Sequence, residues 1–198
     1  MRSSGQGVPE LEAWLRAVVE TPGLTSLALP AAREALLDDA LRAAPLLADA
    51  PGPVVDVGSG NGTPGIPLAH AFPDKEFVLL EAELRRCAFL EAWSPANARV
   101  VRGRVEEQAT DWAGASLAKA LAPPPVAVEW CLPLLRPGGL AILWVGENVE
   151  LAGLVPVAAR LNAEPIEAPT GFAVFRKSGP TPAGFPRRTG VARKRPLS

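Results

Sequence analysis

The 198-residue chain contains one histidine, two cysteines and no tyrosine. Cys87 and Cys131 lie far apart with no C-x-x-C spacing, so they read as buried reduced thiols of an intracellular chain and not as a disulfide framework. His70 falls on the back of a predicted helix and has no second histidine to share a metal with, so no metal is expected. No run of 18 apolar residues occurs, and the start of the chain lacks a basic-then-apolar leader pattern. A soluble, cytoplasmic protein with no membrane partner is the expectation. What is present is ordinary for a globular domain: 48% hydrophobic and 21% charged residues, punctuated by 22 prolines and 18 glycines. The net charge of -1 hides an asymmetry. From residue 168 onward there are seven basic residues and no acids, so an acidic body of about -8 carries a segment of about +7. Such a basic tail either solubilises the chain or meets a polyanion.

The stretch Val54-Val55-Asp56-Val57-Gly58-Ser59-Gly60-Asn61-Gly62-Thr63-Pro64-Gly65 organises the rest. A short β-branched run ends at an acid, and a glycine-dense turn then opens into a helical pattern. This predicts a buried parallel strand feeding a ligand-binding loop and a helix start. A dinucleotide site would place a third small residue where Thr63 stands, so that fingerprint fails at its last position. The D-x-G-x-G-x-G spacing instead resembles motif I of methyltransferases that use S-adenosylmethionine (AdoMet). Asp56 at the strand's acidic end suits the ligand's amino group and positive charge, with Gly58, Gly60, Gly62 and Thr63 around it. The next predicted strand, 77–81, ends in Glu81, 21 residues after Gly60. An acid there can hydrogen-bond both hydroxyls of an adenosyl ribose.

Alternating patterns fill out the chain. Helices are expected over 10–20 and roughly 31–47, the second bent or ended by Pro45, and these form an N-terminal helical cap spanning residues 1–50. Residues 51–178 form the AdoMet-binding domain, and 179–198 a basic tail. A helix over 84–93 begins with Arg85 and Arg86, which either face solvent or hold phosphates. A third strand at 100–101 leads into the loop 103–107. Residues 115–120 are alanine-rich and helical by propensity, yet an open α/β sheet needs a strand at that place. Strand 140–145, a helix over 149–161 and a closing hairpin of 164–167 with 172–176 complete a doubly wound α/β, Rossmann-like fold with a mostly parallel sheet. Ligands are expected at the strand C-terminal ends.

Three segments carry a resemblance over nearly the whole chain. They are Val-Asp-Val-Gly-Ser-Gly-Asn-Gly-Thr-Pro-Gly-Ile-Pro-Leu-Ala (55–69), Arg104-Val105-Glu106-Glu107, and Pro133-Leu134-Leu135-Arg136-Pro137-Gly138-Gly139. With the ending Phe185-Pro186-Arg187-Arg188-Thr189-Gly190-Val191-Ala192-Arg193-Lys194-Arg195, the chain resembles the bacterial 16S rRNA guanine-N7 methyltransferases, the glucose-inhibited division protein B family. The resemblance implies AdoMet contacts at Gly58, Thr63, Val105, Glu106 and Lys119, the last also the candidate catalytic residue. It implies 16S rRNA, free or in a small-subunit assembly intermediate, as partner of a monomer, with Arg187, Arg188, Arg193, Lys194 and Arg195 on RNA phosphates. Four positions depart from the family: Lys119 stands for an arginine, Val145 for a basic residue, Ala35 for a histidine and Gly114 for an acid. Guanine N7 has a free lone pair, so transfer needs positioning and charge management but no general base. The absence of an Asn-Pro-Pro-Tyr-like or catalytic-cysteine signature agrees. A diverged enzyme with another substrate, or a module that binds AdoMet or RNA without turnover, stays open at this point.

Overall fold

The structure is a computed structural model that describes residues 7–146 and 149–198. The start of the expected cap, residues 1–6, lies outside the described residues. Seven strands form one sheet in the order β3-β2-β1-β4-β5-β7-β6. These are β1 Val54–Val57, β2 Phe77–Glu81, β3 Ala98–Arg102, β4 Ala113–Ala118, β5 Leu135–Trp144, β6 Ala163–Ile166 and β7 Phe172–Lys177. The pairs from β3 to β5 are parallel, while β7 runs antiparallel to both β5 and β6. The order reverses direction between β1 and β4, and there an open α/β sheet presents its ligand crevice.

Each strand of the parallel centre is buried on both faces, which is why β1 reads as an unbroken apolar run with one acid. One face packs under α1 (Gly7–Glu20), α5 (Gly65–Ala71) and α6 (Leu84–Trp93), with Trp14, Leu15, Val18, Ile66, Leu79 and Leu90 interlocking. The other face packs under α7 (Pro124–Cys131), α8 (Val155–Ala159) and the tail, where Ala192 and Leu197 join the core. Between β3 and β4 the chain makes only a 3-10 turn, Val105–Glu107.

β4 is a strand despite its alanines. Its six residues are all buried, and all but Leu117 are small, so neighbouring layers approach closely. At Gly114 a Cβ would lie 1.9 Å from the Pro51 carbonyl oxygen. Backbone packing therefore leaves no room for the acid that the family resemblance places at this position.

The cap helix over 31–47 is not one regular element. Leu29–Ala32 (α2) passes into a π-helical turn at Arg33–Asp38 and then Asp39–Leu41 (α3). The chain breaks at Arg42–Ala43, and Ala44–Leu47 (α4) resumes with Pro45 in its first turn. The wide turn at 33–38 carries Leu37 into the core and sets Asp39 over the sheet's C-terminal edge. Helix α6 ends where expected. Ser94 caps the Leu90 carbonyl with both its N–H and its hydroxyl, and Pro95 prevents continuation.

Candidate active site

The glycine turn after β1 is held from three sides. Gly58, Gly60 and Gly62 all take positive φ values (70°, 57° and 100°), a region costly for any residue with a Cβ. A Cβ on Gly58 would lie 2.4 Å from Leu121 Cδ1, and one on Gly62 would lie 2.5 Å from Ile66 Cδ1. Gly60 faces open space, with only the Gly58 carbonyl within 4 Å. From the cap, Trp14 Nε1 donates to the Asn61 carbonyl at 3.0 Å, and Thr63 Oγ1 donates to the Leu36 carbonyl at 3.0 Å. Asn61 Nδ2 reaches back to the Leu24 carbonyl at 3.3 Å.

Glu81 supports the turn from the adjacent strand. Its Oε2 accepts the Gly60 N–H at 2.9 Å, and its Oε1 accepts the N–H groups of Ala82 and Glu83 at 2.7 and 2.8 Å. Three backbone donors fill three of roughly four lone-pair sites on a carboxylate. One site is left for a sugar hydroxyl. A second hydroxyl requires the Gly60 bond to be exchanged.

Asp56 is placed differently from the expectation. It is fully buried, and its Oδ2 accepts the Gly65 N–H at 3.1 Å, anchoring the first turn of α5. Gly65 must be glycine because a Cβ there would meet that same oxygen at 2.6 Å. Burial, added to by the charge of Glu81, pushes the Asp56 carboxyl up to about 7. A carboxyl so buried and half-protonated near neutrality braces the loop from beneath and does not line the cleft. Thr63 likewise turns its hydroxyl to the cap, with 8% of the residue exposed.

Lys119 follows β4, between two neighbours set by strand register. Asp56 pairs with Leu117 and Ala118 with Leu143, so the C-terminal edge reads Gly58, Lys119, Trp144, Phe172 across β1, β4, β5 and β7. Lys119 Nζ donates to Asp39 Oδ2 at 2.5 Å, and Arg42 Nη1 donates to Asp39 Oδ1 at 2.8 Å. Burial alone would raise the Asp39 carboxyl, but the hydrogen bonds and charges of Lys119 and Arg42 outweigh it and hold it below the ordinary range. Trp144 Nε1 donates to the Asp39 carbonyl at 3.2 Å and packs edge-on against Phe172, over which Arg42 also lies. Val145, the second departure, is half-buried and donates its N–H to the Gly171 carbonyl at 2.9 Å. Ala35, the third, sits half-buried in the π-helical turn.

The third wall is built by the tail. Glu106 Oε1 accepts the Gly190 N–H at 3.0 Å, and Glu107 Oε1 accepts the Thr189 hydroxyl at 3.2 Å. Val105 is packed in the core. Arg187 makes a bidentate pair with Glu129, which is 2% exposed, and also donates to the Arg195 carbonyl. Arg187 is therefore turned inward, away from an RNA phosphate, because it neutralises an otherwise buried carboxylate. Lys177 is also buried, donating to the Leu132 carbonyl and Thr181. The tail's solvent-facing cations are Arg188, Arg193, Lys194 and Arg195, with Arg193 stacked on Trp130 at 5.1 Å. Arg85 is exposed, whereas Arg86 pairs with Glu83.

Reasoning from sequence did not single out Asp39, Leu121, Trp144 or the Thr189-Gly190 contact. Asp39 lies 80 residues from Lys119, and no local pattern links them. Among the described residues no group of three or more His, Cys, Asp or Glu side chains could hold a metal, and no helix is long and apolar enough to cross a membrane.

Sheet order, glycine turn and acid-ended β2 together define a Rossmann-like methyltransferase fold. Solved structures agree on that fold: TnmH, at 18% identity, has a TM-score of 0.56 over 76% of this chain and 58% of its own. A T. thermophilus 16S rRNA N2 methyltransferase, in complex with AdoMet and guanosine, scores 0.51 at 16% identity over 74% of this chain and 40% of its own. The family described as rRNA small subunit methyltransferase G matches residues 11–152. The relative from Syntrophomonas wolfei bearing that name is 36% identical over 163 residues, covering 73% of this chain and 76% of its own. That from Rubrobacter xylanophilus is 37% identical over 187 residues, covering 82% and 69%. The chain belongs to the rRNA small subunit methyltransferase G family.

Proposed function

We propose that this protein transfers a methyl group from AdoMet to N7 of a guanine in 16S rRNA, acting in the cytoplasm as a monomer on the naked RNA or an assembly intermediate. The observation that carries the reading is the Gly60 N–H on the Glu81 carboxylate, which joins the motif I turn to the acid of β2 at the sheet's switch point. Two features support the cofactor here: Gly60 is open where a Cβ would stand, and Glu81 has acceptor capacity left. When bound, AdoMet supplies an activated methyl on a sulfonium centre. The chain's own groups hold the sugar at Glu81, orient the base rim at Val105 and Glu106, and place Lys119 beside the turn. No side chain has to remove a proton, because the N7 lone pair is free. Arg188, Arg193, Lys194 and Arg195 supply an exposed cationic surface for RNA phosphates.

Deproteinised 16S RNA incubated with the protein and methyl-labelled AdoMet should acquire label at a guanine that becomes sensitive to borohydride and aniline cleavage. Unlabelled RNA would refute the reading.

A further inference from the structure

Asp39 is a cap residue with no place in the cofactor cradle, yet it hangs over the strip between the ends of β4 and β5, next to the glycine turn. Its position is over-determined. Lys119 and Arg42 each donate to one carboxylate oxygen, and Trp144 holds its backbone carbonyl. Its side chain stays 23% exposed, so the oxygens keep an open approach. Each retains a second lone pair beyond the bond it already makes. The flat ring of Trp144, half-buried, lies beside it.

We infer that the Asp39 carboxylate reads the Watson–Crick edge of the methyl-accepting guanine, taking hydrogen bonds from its N1–H and N2–H2, while Lys119 and Arg42 act as positioning residues for that carboxylate. The inference rests on the guanine reading above and names the side chain that selects the base. Guanine offers two adjacent donors on that edge, the complement of a carboxylate's two oxygens, whereas adenine puts its N1 lone pair there and would be repelled. With the Watson–Crick edge held at Asp39, the opposite, N7 edge of the purine is left free for the cofactor side, where register sets Gly58 next to Lys119. The arrangement also favours the reaction itself. Bond formation at N7 and cleavage of the sulfonium C–S bond leave a neutral thioether and move the positive charge onto the purine. N1–H becomes more acidic as that charge grows, so its bond to Asp39 is stronger in the transition state than in the ground state.

The test is a 16S RNA in which the guanosine located by labelling is replaced, through splinted ligation, by inosine, which keeps N7, O6 and N1–H but lacks the N2 amine. Wild-type protein should lose about tenfold in kcat/KM on the inosine RNA, the usual cost of one missing charge-assisted bond. Asp39→Ala should lose about a hundredfold on guanosine RNA and treat both RNAs alike, with calorimetric AdoMet affinity unchanged within about twofold. Asp39→Asn, which keeps the shape and the Trp144 bond to its backbone carbonyl but can accept from only one of Lys119 and Arg42, should fall between them. If the variants prefer guanosine as strongly as wild type, or lose AdoMet affinity in step with activity, Asp39 merely ties the cap to the sheet and the inference is overturned. If neither variant folds, the wild-type comparison alone decides, because equal rates on guanosine and inosine RNA exclude reading of N2. A wild-type protein that labels no RNA refutes the parent reading, and this inference falls with it.

Discussion

The two ends of the chain grip the two loops proposed to hold the cofactor, but by different physics. The N-terminal cap holds the 58–63 turn with neutral hydrogen bonds beneath a buried indole: Trp14 and Thr63 bond across the boundary, and Trp14 is 1% exposed. The tail meets the 105–107 turn through two carboxylates, Glu106 and Glu107, which accept from the Gly190 N–H and the Thr189 hydroxyl, while Arg187 ties the same tail to Glu129 of α7. Apolar burial is indifferent to ionic strength, whereas exposed charged contacts are screened by it. The first loop is thus anchored by buried neutral contacts, and the second by carboxylates at the surface, within reach of the tail's exposed cations.

The strongest way to break this contrast is Trp14→Ala. It removes a fully buried ring and the Asn61 anchor together, and should cost about 4 kcal/mol of stability in urea unfolding, with no salt dependence in the loss. Arg187→Ala should cost less, about 2–3 kcal/mol, because the arginine is 21% exposed while the Glu129 it abandons is not. Its signature is faster amide exchange at Gly190 with Asn61 unaffected. Glu129→Gln in the same background should restore part of the stability.

Asp56→Asn sharpens the picture of the first loop. Burial holds Asp56 at about 7, so between about pH 4 and 7 the folded chain keeps a proton that the unfolded chain has released. Stability therefore falls as pH rises across that window, and the penalty is complete above it. Asparagine keeps the acceptor for Gly65 and has no charge to bury, so the variant's melting temperature should be flat there. At pH 8 it should exceed wild type by on the order of 2 kcal/mol. The smallest effect is on binding: Arg188, Lys194 and Arg195 changed together to Ala should weaken RNA affinity about tenfold in filter binding. The salt slope should fall by about 2 and AdoMet affinity should be unchanged.

How much was legible beforehand follows from how local each signal is. The turn at 58–62 and the acid at 81 are set by short-range backbone needs, and the structure joins them directly at Gly60. Strand β4 contradicts alanine's helical propensity, and only the requirement for a continuous sheet made it readable. The π-helical turn at 33–38 has no sequence signature, so the placement of Asp39 was invisible. Charge counting over the tail treated all cations alike. It could not separate Lys177 and Arg187, which neutralise Asp111 and Glu129, from the five that face solvent.

The contact between residues 187–190 and the turn at 105–107 has a consequence for biosynthesis. Ribosomes deliver Glu106 and Glu129 well before the segment that satisfies them, so the nascent sheet exists for a time with one rim of its cleft unfinished. Competence to capture the methyl donor should therefore arrive late, once the closing strap has been released to fold back over the domain.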